Sequence, residues 1–572
     1  MDKHQSVFLL LLAALLINSC SQQEQPLADM VVTNANIYTV NESNPKAEAM
    51  VIRADTLVFV GTSDEAQEYI GEQTRVMDAE GKTIIPGLVE SHAHFLGVGA
   101  NEMELNLLAV KSYEEMVNRV AEKVQSLKPG EWVLGRGWHQ SKWDSLPENM
   151  VKGFQTHYKL SAVSPENPVF LRHASGHAAI ANAKAMEIAG VSTLNKESMA
   201  VTEVKGGEVF RDELGNPTGI FNERAMTLIA KHVPPQDYAY NKKAAKLAMD
   251  ACLRNGITSF HDAGVGKETV TLYKNLLDSG EMDVRLYVML SGRDTSLLQE
   301  YYEKGPEIGL GNDQLTFRSI KLYMDGALGS RGAWMLEEYS DMPGVYGHET
   351  TPIDRVFEVS DKALQAGFQV CSHAIGDRAN REVLDQYEKA FNVHPRVNDT
   401  RFRIEHAQHL TKEDIPRFAE LGVIPAMQAI HMASDRPWAI DRLGKERIEE
   451  GAYVWQKLLQ SGAHIANGTD APVEPINPFA SFYASVARRT LEGTPEGGYE
   501  PSQKMTREQA LVSYTLDGAY AAFEEDTKGS LEPGKLADFT VIDRDIMQVA
   551  EDSILGTQVL FTVLGGKIAY ER

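Results

Sequence analysis

Six side chains spread along the chain have the types that bind metal ions or move protons: His92, His94, Lys321, His373, His406 and Asp470. The tightest grouping lies in Ile84-Ile85-Pro86-Gly87-Leu88-Val89-Glu90-Ser91-His92-Ala93-His94, a strand-like apolar run that ends in His-x-His. Side chains on a strand alternate faces, so residues two apart point the same way and both imidazoles converge on one point. The other four candidates also sit in or at the ends of apolar runs. Lys321 lies in Ser319-Ile320-Lys321-Leu322-Tyr323-Met324-Asp325-Gly326, and His373 closes Val370-Cys371-Ser372-His373. His406 closes Arg403-Ile404-Glu405-His406, and Asp470 closes Ala466-Asn467-Gly468-Thr469-Asp470. Each has a plainer reading alone: a hydrogen-bonded core histidine, a lysine that snorkels to solvent, an aspartate that caps a helix. Those readings together require a separate coincidence at every position, whereas a common site requires one cause.

The elements that must position these groups can be counted. Strand candidates fall at 84–92, 256–264, 284–290, 317–326, 368–377, 401–408, 422–431 and 464–473, most of them followed by a helical pattern. Eight strands alternating with helices predict an α/β fold, a (β/α)8 TIM-type barrel, whose chemistry sits at the C-terminal strand ends. Short strand patterns at 29–83 and again at 529–572 predict a small β-sandwich domain built from both chain ends, with the barrel over 84–528. About 160 residues separate the first two barrel strands, which implies an inserted subdomain at about 130–235, expected to cap the barrel mouth. Within it, His139, His173 and His177 read as substrate-pocket candidates or as ordinary loop histidines. Trp138 and Trp143 read as pocket walls or as the insertion's own core.

Composition sets limits. The chain has 572 residues, 43 % hydrophobic and 24 % charged, with a formal charge of -24, so clustered basic partners for nucleic acid or an anionic membrane surface are not expected. Cys20, Cys252 and Cys371 form no CxxC pair, so a thiolate metal site is not expected, and three cysteines do not make a disulfide framework. Residues 1–19 read as a signal peptide: Lys3 precedes an apolar run from Val7 to Ile17, too short to span a bilayer. Leu16-Ile17-Asn18-Ser19-Cys20 resembles the lipobox of bacterial lipoproteins. It implies lipidation at Cys20, a tether over 20–28 and anchoring in a bacterial cell envelope; a plain secretory signal fits the same run.

The order His-x-His on strand one, lysine on strand four, histidine on strands five and six and aspartate on strand eight resembles the binuclear subtype of the amidohydrolase superfamily. Lys321-Leu322-Tyr323-Met324-Asp325-Gly326-Ala327-Leu328-Gly329-Ser330-Arg331, His373-Ala374-Ile375-Gly376-Asp377-Arg378 and Ser175-Gly176-His177-Ala178-Ala179 are similar to the branch that includes N-substituted formamide deformylases. The resemblance implies two divalent metal ions, with His92, His94 and Asp470 on one, His373 and His406 on the other, and a carbamate on Lys321 bridging them. Six protein groups exceed what one tetrahedral zinc takes with an open position, and imidazole with carboxylate suits zinc, then manganese, iron or nickel. It further implies hydrolysis of a C–N bond in a small non-peptide or N-substituted amide by metal-activated hydroxide, with Asp470 as the proton carrier. Asp325, Arg331, Asp377 and Arg378 are expected to orient the site, or to form surface ion pairs. Gln408 and His431 are expected to face the mouth, and His139, His177, Asp325, Arg331 and Gln408 to contact substrate. The alternatives are an esterase or lactonase on the same binuclear site, and a non-catalytic ligand-binding lipoprotein of the envelope. The expected partner is a small molecule, the only membrane contact is the lipid anchor, and a homo-oligomer is compatible with the sequence. Labelled palmitate fed to an expressing bacterium is predicted to enter the protein and to fail to enter the Cys20→Ala variant; equal labelling of both refutes the anchor.

Overall fold

The apolar runs become eight parallel strands because each is flanked by turn residues and feeds a helix that covers it. The structure, a computed structural model, describes residues 27–140, 143–174, 176, 178–191 and 207–572. Cys20, the segment 1–19, nearly all of the tether and His177 lie outside the described residues. The barrel strands, taken as one to eight, are Leu88–Ala93, Ile257–Val265, Arg285–Ser291, Leu315–Tyr323, Gln369–Ala374, Arg403–His406, Ile424–Met427 and Ala466–Asn467. They pair in sequence order, all parallel. Two backbone bonds bring strand eight back to strand one: Asp470 N–H donates to His92 O at 2.9 Å, and His94 N–H to Ala471 O at 2.8 Å. The result is a nearly closed barrel. Strand three is buried over Arg285–Leu290, as a parallel strand covered on both faces should be. The covering helices are amphipathic; Ile353–Ala366 turns Val356, Val359, Ala363 and Leu364 inward and stops at Gly367, whose φ of +83° suits a residue without Cβ.

The stretch 84–92, expected as one strand, is two. Thr83–Pro86 belongs to a sheet built from both chain ends, in the order Lys567–Glu571, Val559–Leu564, Phe539–Ile542, Thr83–Pro86, Asn36–Tyr38, Lys46–Ala47. After Gly87 the chain crosses into the barrel as Leu88–Ala93. A second sheet, Thr56–Gly61, Ala49–Arg53, Met30–Thr33 and Arg75–Asp78, packs on the first over a core that includes Val32, Ile52, Leu57, Phe539 and Val563. This domain meets the barrel at the N-terminal ends of the strands. There Arg285 pairs with Asp538 at 2.6 Å, both 4 % exposed, and Thr540 Oγ1 donates to Gly256 O at 2.9 Å.

The insertion carries its own sheet, in the order Gly207–Arg211, Pro217–Glu223, Ala178–Ala181, Val169–His173, Val133–Trp138, Leu105–Asn106. It takes in residues upstream of 130, because helix Tyr113–Gln125 packs beneath it through Tyr113, Met116, Val117 and Val120. Trp138 and Trp143 lie in that core, and Trp138 Nε1 donates to Leu171 O at 2.9 Å, so both build the insertion itself.

Removing one partner of a buried ion pair strands the other charge away from water. Arg285→Ala is therefore expected to cost about 3–5 kcal/mol of stability, read as a shifted urea midpoint; an unchanged midpoint contradicts the pair's role in joining the domains.

Candidate metal centre

The C-terminal strand ends gather the histidines and Asp470 into one buried cluster. His92 and His94 sit at and just beyond the end of strand one, with Nε2 atoms 3.8 and 3.3 Å from Asp470 Oδ1. The ligand atoms of His92, His94 and Asp470 all lie within 4.8 Å of one another, and so do those of His406, His431 and Asp470. His373 adjoins the second trio, its ring centre 4.5 Å from that of His406, itself 4.9 Å from His92. Lys321, 1 % exposed, brings Nζ to 3.2 Å from His92 Nε2. All six candidates are thus together, because strand five sets His373 beside Tyr323 in register and strand six sets His406 beside Ala374. The backbone leaves the extended region at this rim: φ is +78° at His406 and +57° at Asp470, conformations that non-glycine residues rarely hold without cause.

The outward nitrogen of three imidazoles is fixed, which decides the tautomer. His92 Nδ1 donates to Glu405, His94 Nδ1 to Ala263 O at 3.1 Å and His406 Nδ1 to Gln428 Oε1 at 2.7 Å. Each Nε2 then keeps its lone pair for the cluster, the arrangement found around metal-bound histidine. Glu405 is fully buried and braced by Arg403, with Nε and Nη2 2.8 and 2.9 Å from its two oxygens. His373 Nε2, His431 Nε2 and Asp470 Oδ1 are buried and have no hydrogen-bond partner. Buried polar atoms are normally satisfied, so lone-pair atoms of His431 and Asp470 that lack a hydrogen bond within one ligand trio fit a cation there, and imidazole with carboxylate suits a divalent one.

Burial raises the pKa of Glu405, but Arg403 and His92 outweigh it and hold the carboxyl well below its usual range. Asp470 is likewise lowered against burial by the histidines around it, His94 first. Burial and then Lys321 bring His92 down to about 4, and burial brings His406 well below its ordinary value, so both are neutral as ligands must be. Burial pulls the Lys321 amine down to about 8. Burial pushes Glu90 up to about 8, although Thr469 N–H and Oγ1 donate to it; a Cβ on Gly468 would fall 2.2 Å from Glu90 Oε1, which is why that position has no side chain.

Asp325 is placed beside the cluster, 3.3 Å from His373 Nε2, yet its oxygens accept from the backbone N–H of Trp334, Ile375 and Gly376, so it ties loops together and braces His373. Arg331 pairs with Asp341 at 2.7 Å, the surface ion pair that was the alternative for it, and Asp377 accepts from Leu336 N–H at 2.8 Å. Gln408 Nε2 lies 2.9 Å from His431 Nδ1 and orients that ring. His139 packs on His173 with ring centres 4.4 Å apart, on the insertion. The sequence does not single out Glu405, Gln428, Asp262, which accepts from Phe95 N–H at 2.9 Å beside His94, or Arg136, whose Nη1 donates to Pro472 O at 2.6 Å. Glu405 alone left a signal, since Arg403 and Glu405 alternate on one face of a strand.

Strand order, rim and donor set define a metal-dependent hydrolase of the amidohydrolase superfamily. The profile of the amidohydrolase family matches residues 75–570, and the chain belongs to that family. It is 33 % identical to protein LONG AFTER FAR-RED 3 of Arabidopsis thaliana, over 95 % of this chain and 92 % of that one. It is 29 % identical to the N-substituted formamide deformylase of Arthrobacter pascens, over 96 % and 99 %. An uncharacterized metal-dependent hydrolase from Pyrococcus furiosus superposes with a TM-score of 0.71 at 28 % identity, covering 91 % of this chain and 100 % of that one.

Replacing Glu405 by Gln removes the charge that His92 and Arg403 share. Groups in this position tune metal affinity by about 10–100-fold, so Glu405→Gln is expected to weaken zinc binding by that factor in a chelator competition; wild-type affinity in a folded variant refutes the link.

Proposed function

We propose that the protein hydrolyses the C–N bond of a small N-substituted amide at a binuclear metal centre, zinc being the metal its ligands suit best. The carrying observation is the shared carboxylate: Asp470 belongs to both ligand trios, His92 with His94 and His406 with His431. Likeness to an N-substituted formamide deformylase along nearly the whole of both chains supports the amide. Bound divalent metal supplies Lewis acidity, bringing the pKa of water toward neutrality and polarising the amide carbonyl.

The chain's own residues do the rest. Asp470 accepts the proton of the attacking water and passes it to the leaving nitrogen, so that water and amide become carboxylic acid and amine. Its low pKa keeps the carboxylate ionised, as a metal ligand must be. His373 and His431 complete the ligand set, the latter oriented by Gln408. Lys321 as an ammonium would repel any cation beside His92 Nε2, at 3.2 Å. Its neutral amine adds carbon dioxide and releases a proton, giving an anionic carbamate that attracts the metals instead. The lowered amine pKa, about 8, supports that reaction near neutral pH. The insertion, with His139, walls the entrance.

Chelator-treated protein is expected to lose turnover of an N-benzylformamide-type substrate and regain it with zinc, manganese or nickel. Asp470→Asn is expected to keep much of its metal and lose about 10²–10⁴-fold in kcat, measured by amine release. Near-normal turnover in that variant sinks the proton role. Intact-mass spectra from bicarbonate buffer that lack one carbon dioxide, when Lys321→Ala is the control, sink the carbamate.

A further inference from the structure

The insertion places two like charges side by side above the rim. Strands Val133–Trp138 and Val169–His173 are parallel neighbours, with Arg136 opposite Arg172 in register. Adjacent strands lie about 4.8 Å apart, and like charges directly opposite destabilise a sheet. Among the described residues neither guanidinium has a carboxylate within 4.0 Å. Arg136 is held only by carbonyls, Nη1 donating to Pro472 O at 2.6 Å and Nη2 to Ala174 O at 3.5 Å. Pro472 follows Asp470 by two residues, so this guanidinium hangs at the edge of the metal cluster. Of its five N–H donors, the carbonyls occupy two. Burial and then Arg172 lower its pKa, with Asp470 the strongest of the carboxylates that oppose them. Glu104 and Glu474 act on it from farther away, and each accepts a hydroxyl hydrogen bond, from Tyr240 Oη at 3.0 Å and Ser434 Oγ at 2.6 Å. Two adjacent guanidinium groups that make no direct ion pair among the described residues, one of them with N–H donors beyond those its carbonyls take, can receive an anion at this edge.

We propose that Arg136 and Arg172 seat an anionic group of the substrate, a carboxylate or a phosphate, so that the amide hydrolysed here is an anion. The proposal rests on the amidohydrolase reading above and names the substrate class for it. A guanidinium binds either oxyanion through paired N–H donors. A plainer role, in which Arg136 only ties the insertion to the loop after strand eight and Arg172 is solvated, predicts no preference for anions.

The test compares N-formylglycine, its methyl ester and N-formylethanolamine phosphate on zinc-loaded full-length protein. Calorimetric titration with succinate and with inorganic phosphate runs alongside. One charge-assisted contact is worth about tenfold or more. The wild type is expected to favour one of the two anionic amides over the ester by that factor. Arg136→Gln and Arg172→Gln are each expected to lower the ratio of kcat/KM values about tenfold, chiefly through KM, and Arg136→Lys to restore part of it. Arg172 is exposed, so its variant separates a binding loss from a folding loss. A wild-type ratio near unity, or a preference that survives both Gln variants, overturns the proposal. If no amide is hydrolysed the amidohydrolase reading fails, and the titrations still decide the seat: oxyanion binding lost in the Gln variants supports it, and binding absent or unchanged in them overturns it. Whether succinate or phosphate binds tells which oxyanion is preferred.

Discussion

An imidazole can serve a metal only through a nitrogen that carries no proton, and this requirement governs the rim. Three histidines meet it with three different outer acceptors: a carboxylate for His92, a backbone carbonyl for His94 and a side-chain amide for His406. The first is the most demanding. Glu405 is an ionised carboxylate fully out of water, and it persists there because Arg403 is buried with it and also donates to Ser91 O at 2.6 Å and lies 3.0 Å from His261 Nδ1. A buried pair of this kind rarely adds stability over apolar packing. Its use here is to hold one ring in one tautomer.

The barrel turns this local demand into a shared site. Parallel strands end at one rim, so residues remote in sequence become neighbours without any local motif joining them. The rim is where the backbone gives up regular geometry. His406, Ala407 and Asp470 all have positive φ, and Asp470 and Ala471 carry the bonds that bring strand eight to strand one. The residue that joins the two ligand trios therefore also sits at the seam of the barrel, and chemistry and closure share one segment.

Much of this was legible beforehand, and the boundary is physical. Strand ends and His-x-His are written in periods of two, and local sequence carries them; the strands at 257–265, 285–291 and 369–374 lie where the apolar runs put them. Groups that act through space were not legible. Gln428 and Asp262 matter only because a neighbouring strand or helix faces them, and Arg136 only because the insertion's register sets it beside Arg172. The tryptophans illustrate the same limit: Trp138 and Trp143 fill the insertion's core because helix Tyr113–Gln125 lies beneath them, a packing that no single segment announces. Asp325, expected to orient the site or to contact substrate, accepts from three backbone donors, which no single segment announces.

The division of one run between two sheets sets an order of assembly. Ile84, eight residues ahead of His92, finds its partner in Val541. During synthesis the lead-in to the first barrel strand stays unpaired on that side until the final tenth of the chain has left the ribosome. Pairings between such distant segments form slowly and leave open edges exposed meanwhile. The barrel can thus be nearly complete while the sheet attached to its first strand still waits for its closing partner.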